Sequence, residues 1–165
     1  MRTIILDGYN VIYKIPELTA KLNESLKAAR TALAMLLSTW KKKYLYNRAY
    51  IVFDGKDNVT LEYPQNKVCG IDCFFTGSGE EADERIIALV RKYGASSEIT
   101  VISDDNKVRN NCKAFGVKVE SPSFLQETSM KSKDAKKEPI KRISAKKDRE
   151  ITDYYINYLK QKGRL

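Results

Sequence analysis

The chain contains no histidine in its 165 residues. That excludes Ser-His-Asp and Cys-His catalysis. It also excludes the paired-histidine chemistry of metal-free ribonucleases and the usual His-containing zinc sites. Cysteine is scarce: Cys69, Cys73 and Cys112 form no CxxC pair. Cys69 and Cys73 flank a predicted strand and read as reduced core or sheet residues. No apolar run approaches the roughly 20 residues of a membrane span. The run Ile4-Ile5-Leu6 is closed by Asp7 and is too short for a secretory leader. These absences predict a cytoplasmic protein with no membrane partner and no small organic cofactor. Any hydrolytic chemistry must rest on carboxylates with metal, or on Lys, Ser, Tyr or Cys.

Acid is the minority charge. The chain has 21 Asp+Glu against 30 Lys+Arg, a net charge of +9. Such a surface attracts polyanions, of which nucleic acid is the commonest; a basic surface with no dedicated ligand is the plain alternative. The excess is concentrated. Residues 131–149 hold nine Lys/Arg and three Asp/Glu and almost no core residues. Residues 126–147 therefore read as a basic linker or arm. Lys136, Lys137, Lys141 and Arg142 are its candidate RNA contacts. Residues 148–165, with Ile151, Tyr154, Tyr155, Ile156 and Leu159, suit a terminal helix packing back on the domain formed by residues 1–125.

Within residues 1–125, short apolar runs alternate with helical patterns. Strands are predicted at Arg2–Leu6, Ala49–Phe53, Val68–Phe75, Ile99–Ile102 and Val117–Val119. One long amphipathic helix is predicted over 17–43, with Leu26, Ala29, Leu33, Leu36, Leu37 and Trp40 at helical spacing. Residues 56–67, which include Pro64, read as a loop. Ser78 and Glu81 form a capping-box pattern before a helix from about Glu80 to Tyr93. Further helices are predicted around 106–114 and as a short turn from Pro122 to Leu125. This order indicates an α/β fold with a mainly parallel sheet of about five strands.

In an open parallel sheet, ligands bind beyond the carboxyl ends of the strands. Asp7, Asp54 and Asp104-Asp105 each follow a strand at that end. Glu80, Glu81, Asp83 and Glu84 open a helix there. Clustered carboxylates repel unless a cation sits among them, and hard oxygen ligands suit Mg²⁺ or Mn²⁺. Such an ion could activate water for in-line attack on a phosphodiester. Each acid also has a simpler reading. Asp54-Gly55 could be a turn, Glu80 and Glu81 could serve the helix dipole, and Asp105 could cap the next helix. Asp7 is the stronger signal, because Asn10 follows in position to orient the carboxylate or a water.

The motifs Leu6-Asp7-Gly8-Tyr9-Asn10-Val11-Ile12, Val52-Phe53-Asp54-Gly55, Gly79-Glu80-Glu81-Ala82-Asp83-Glu84-Arg85-Ile86 and Ile102-Ser103-Asp104-Asp105 occur in that order. Together they resemble the NYN domains of the PIN-like nuclease superfamily, and within it the YacP-like bacterial endoribonucleases. The resemblance implies a three-layer PIN-like (NYN) fold and divalent-metal cleavage of single-stranded RNA. It further implies messenger RNA as substrate and the ribosome as a partner. Carried over by motif, Asp7, Asp83 and Asp104 are metal ligands, and Asn10 and Asp105 complete the catalytic set. Arg30, Arg85, Lys107 and Arg109 are candidate RNA contacts; for Arg85 a plain surface role fits as well. The chain departs from the family at Lys27-Ala28-Ala29-Arg30, where relatives often place an acid before the Ala-Arg pair. It departs again where Lys107 and Arg109 replace a further acid. Both departures favour one tightly bound ion over two. Tyr9 and Tyr13 could stack bases or pack the core.

Two rival functions fit the sequence less well. A non-catalytic RNA- or ribosome-binding module gains nothing from acids in its cleft. A haloacid-dehalogenase-like phosphatase needs an acid two residues after the first Asp, where this chain has Tyr9.

Overall fold

The computed structural model describes residues 1–55, 65–77, 79–95 and 97–130. Its strands are β1 (Arg2–Asp7), β2 (Arg48–Phe53), β3 (Gln65–Val68), β4 (Ile71–Phe75), β5 (Glu98–Ile102) and β6 (Lys118–Glu120). They form one sheet in the order β3-β4-β2-β1-β5-β6. Every pairing is parallel except β3 with β4. The helices are α1 (Gly8–Lys14), α2 (Pro16–Leu22), α3 (Leu26–Lys43), α4 (Ala82–Tyr93), α5 (Asn106–Ala114) and α6 (Ser123–Met130).

The central strands are apolar on both faces, as a sheet covered on both sides requires. Their side chains alternate between two cores. Ile4, Leu6, Ile51 and Phe53 pack with Leu33, Leu37 and Trp40 of α3, and with residues of α1, α2 and α6. Ile5, Tyr50, Val52 and Val101 pack with Ile86, Leu89 and Val90 of α4 and with Val108 and Cys112 of α5. The result is three layers, helix–sheet–helix.

Three expectations are corrected. The sheet has six strands, because the segment expected as one strand at Val68–Phe75 is the turn and second strand of a hairpin. Cys69 and Gly70 both have positive φ, at 50° and 76°, which reverses the chain as tight hairpin turns do. Cys69 is therefore exposed, while Cys73 and Cys112 are buried thiols. Burial pushes Cys73 up to about 12 and Cys112 up to about 11, which suppresses the reactive thiolate. Finally, the helix expected over 17–43 is two helices. Pro16 occupies the first turn of α2, where its missing N–H costs nothing. Ser25, in extended backbone, breaks the run and caps α3 by accepting from the Ala28 N–H at 2.9 Å.

Two other boundaries move: residues 65–67 of the expected loop belong to β3, and the short turn expected from Pro122 to Leu125 is the helix α6, which runs to Met130 and so into the expected linker. The helices on the other face lie closer to expectation. Helix α5 covers the expected 106–114, and Gly116 (φ 68°) turns the chain out of it. Helix α4 starts one turn later than the Ser78 signal: Glu81 and Glu84 form the reciprocal capping box. Ser78 lies outside the described residues, as do the arm from 131 onward and the expected terminal helix. No helix among the described residues is long and apolar enough to cross a membrane.

Candidate active site at the carboxyl edge of the sheet

Strand β1 runs into α1 without a loop. Asp7 is both the last strand residue and the N-cap, yet its side chain does not cap its own helix. The carboxylate instead faces the end of the neighbouring strand. The tight junction depends on Gly8, since a Cβ there would run into the Phe53 ring. Just past the end of β5, fully buried Ser103 donates from Oγ to Asp7 Oδ2 at 3.1 Å. The same hydroxyl accepts the Asp105 N–H at 3.1 Å. Asn10, in the first turn of α1, accepts the Asp104 N–H on Oδ1 at 2.9 Å. Two uncharged side chains thus fasten β1–α1 to the β5–α5 loop.

Asp105 caps α5. Its Oδ1 accepts from Lys107 N at 2.9 Å and Val108 N at 3.1 Å. The capping alternative is therefore present in fact. Asp104 points the other way and stands 3.7 Å from Arg109 Nη1. Arg109 also donates to the Ser103 carbonyl at 3.2 Å.

Asp83 lies in the first turn of α4, where the dipole favours a carboxylate. Its side chain is only 4% exposed. Lys107 Nζ reaches it at 3.0 Å and reaches Glu81 Oε2 at the same distance. Hydrogen bonds that its ammonium donates to Asp83, and then to Glu81, hold the Lys107 pKa above its ordinary value, against the opposing effect of burial. Beside them, Glu80 pairs with Arg85 at 2.8 Å. The Arg85 guanidinium also lies over the Phe74 ring.

Asp54 is buried beyond β2. Its neighbour Gly55 donates to Thr76 Oγ1 at 3.2 Å, and Thr76 donates back to the Phe53 carbonyl at 3.0 Å. A Cβ at Gly55 would collide with the Thr76 backbone. The Asp54-Gly55 turn is thus a structural clamp between β2 and β4. Arg30 approaches this edge from α3, over the rings of Tyr9, Phe53 and Phe75 at 5.2 to 5.6 Å. It donates to the Tyr9 hydroxyl from Nε at 2.9 Å and also from Nη2. Tyr9 is 5% exposed and packs on Phe53, so of its two readings the packing role is the one present.

The fold therefore knits Asp7, Asn10, Asp104 and Asp105 together, and sets Asp83 beside them through Lys107 of α5. Arg30 meets this edge at the Tyr9, Phe53 and Phe75 rings, and Arg85 meets it at Glu80 and the Phe74 ring. Lys136, Lys137, Lys141 and Arg142 are outside the described residues. Ser103 was missed as a site residue; its one sequence signal was a small hydroxyl between a strand and two acids. By chemistry the donor set fits Mg²⁺ or Mn²⁺, being hard carboxylate oxygen with no imidazole. The demand for a cation is visible at Asp83, whose buried carboxylate already faces an ammonium. Among the described residues, no three acidic or cysteine side chains are close enough to cage an ion in this arrangement.

A mainly parallel sheet covered on both faces, with acids gathered at its carboxyl edge, is here that of an NYN nuclease-family domain. More narrowly, the chain belongs to the YacP-like NYN domain family, which matches residues 4–162. It is 31% identical over 106 residues to YacP of Bacillus subtilis (strain 168). That alignment covers 64% of this chain and 61% of the Bacillus protein, so it spans less than two thirds of that relative. The crystal structure of Rae1 (YacP) from Bacillus subtilis is similar with a TM-score of 0.64 at 23% identity, over 99% of this chain and 84% of that one. A mutant of Rae1 (YacP) gives 0.65 at 25% identity, over 79% and 76%.

Proposed function

We propose that this protein is a metal-dependent endoribonuclease that cleaves single-stranded RNA in the cytoplasm. The observation that supports it is the fastening of Asp7 to Ser103 and of Asn10 to the Asp104 backbone. Those bonds bring residues over 90 positions apart to one edge, and the Ser103 and Asn10 side chains that make them add no countercharge of their own. Asp7, Asp83 and Asp104 would hold Mg²⁺ or Mn²⁺. When bound, the ion supplies Lewis acidity toward water and the scissile phosphate.

The chain's own residues supply the rest. Ser103 and Asn10 orient the acids. Arg30, Arg85 and Arg109 and the basic arm offer positive charge to the RNA backbone. With no histidine, no imidazole is available to relay protons. Messenger RNA as substrate and the ribosome as partner rest on the family resemblance.

The test is cleavage of an unstructured RNA with Mn²⁺ by wild type, Asp7→Asn and Asp83→Asn. Each variant is expected to lose at least about 100-fold in rate. Equal rates in all three would overturn the proposed site. A second reading, an RNA-binding module that does not cut, is favoured by one observation: Asp83 is already neutralised by Lys107. It predicts RNA binding with no saturable Mn²⁺ site and no cleavage.

A further inference from the structure

Lys107 is the residue that the metal reading does not absorb. It was expected to contact RNA, yet it points into the acids. Its Nζ stands 3.0 Å from Asp83 Oδ2 and 3.0 Å from Glu81 Oε2. The backbone beneath it is pinned, since its own N–H is held by the Asp105 cap at 2.9 Å. Its side chain remains 53% exposed, so the flexible stem has open solvent to swing into. Asp83 has little solvent of its own. A buried carboxylate needs a counter-charge, and the lysine supplies one permanently attached to the chain.

We infer that the Lys107 ammonium is a tethered cation holding the place of a divalent ion against Asp83 and Glu81, and that metal binds there only by displacing it. This rests on the metal-dependent reading above. The physical reason is exclusion. Mg²⁺ or Mn²⁺ must approach carboxylate oxygen to about 2.0–2.2 Å, within the space the ammonium now fills. Two cations at such separation repel strongly where water is scarce. The lysine therefore stabilises the metal-free protein and weakens its metal affinity by the same interaction. Loading of the site becomes a competition built into the chain.

Mn²⁺ affinity, read from the electron paramagnetic resonance of the free ion, tests this in the full chain. Lys107→Gln is expected to bind Mn²⁺ about tenfold more tightly than wild type, and Lys107→Arg about as wild type. Adding Asp83→Asn to Lys107→Gln should cancel the gain. Saturable binding with unchanged or weaker affinity in Lys107→Gln overturns the inference and leaves the metal reading standing. Absence of saturable binding in every protein overturns both. A measurement on wild type alone guards against a variant that fails to fold. The Lys107 ammonium resonance, hydrogen-bonded in the metal-free protein, should be lost as Mg²⁺ saturates the site. Its persistence at saturation overturns the inference.

Discussion

The two halves of the acidic edge are held by different forces. On the β1–β5 side, Ser103 and Asn10 fix Asp7 and the Asp104 backbone through hydrogen bonds made by uncharged side chains. On the α4–α5 side, Lys107 fixes Asp83 and Glu81 through charge. The first kind of fastening positions an acid through a hydroxyl or a side-chain amide and adds no countercharge of its own. The second positions it with a full opposite charge. The acids are thus oriented by neutral groups on one side and held by an ammonium on the other.

The largest effect that would break this comparison is at Ser103. Its hydroxyl is fully buried and serves both the Asp7 carboxylate and the Asp105 N–H. Ser103→Ala should cost about 2 kcal/mol in urea unfolding, from losing a charge-assisted bond and orphaning a donor. That loss should be the same at low and high salt. Asn10→Ala comes next, at about 1 kcal/mol, because the Asp104 N–H loses its acceptor. A cost at either position that fades with salt would show that the β1–β5 side is also held by charge.

Lys107→Met should cost less, about 0.5–1 kcal/mol at low salt, since the ammonium is half exposed and partly screened already. This loss should shrink toward zero in about 1 M NaCl, where the Debye length is about 3 Å. A salt-independent loss would mean that the stem, packed as hydrocarbon, matters more than the charge.

The same contrast explains what could be read from the chain and what could not. Helix α5 and the acids at the ends of β1 and β5 were legible because their signals are local: apolar runs closed by Asp, and an Asp that caps. The hairpin at Cys69-Gly70 was hidden because a cysteine is an uncommon residue for positive φ. The break before α3 was hidden because the helix pattern was read across Ser25 without regard to backbone geometry. Ser103 to Asp7 and Lys107 to Asp83 are contacts across 96 and 24 positions, and only the packing of strands and helices decides them. The sequence order of the acids shows which edge they share. It does not show which partner each one faces.

The smallest effect separates the two sides by pH. Lys107 has its pKa raised above 10.5 by Asp83 and Glu81. A raised pKa adds stability that is complete below the ordinary lysine value and disappears as pH climbs through the folded value. The stability gap between wild type and Lys107→Met should therefore stay level up to about pH 10 and narrow above it. Other lysines and tyrosines titrate in both proteins and largely cancel in the difference. The gap between wild type and Ser103→Ala should show no such step, because a hydroxyl does not ionise in this range. A Lys107 gap that stays level through about pH 11.5 would mean that the acids do not hold the ammonium in solution. The α4–α5 side would then be fastened like its neighbour.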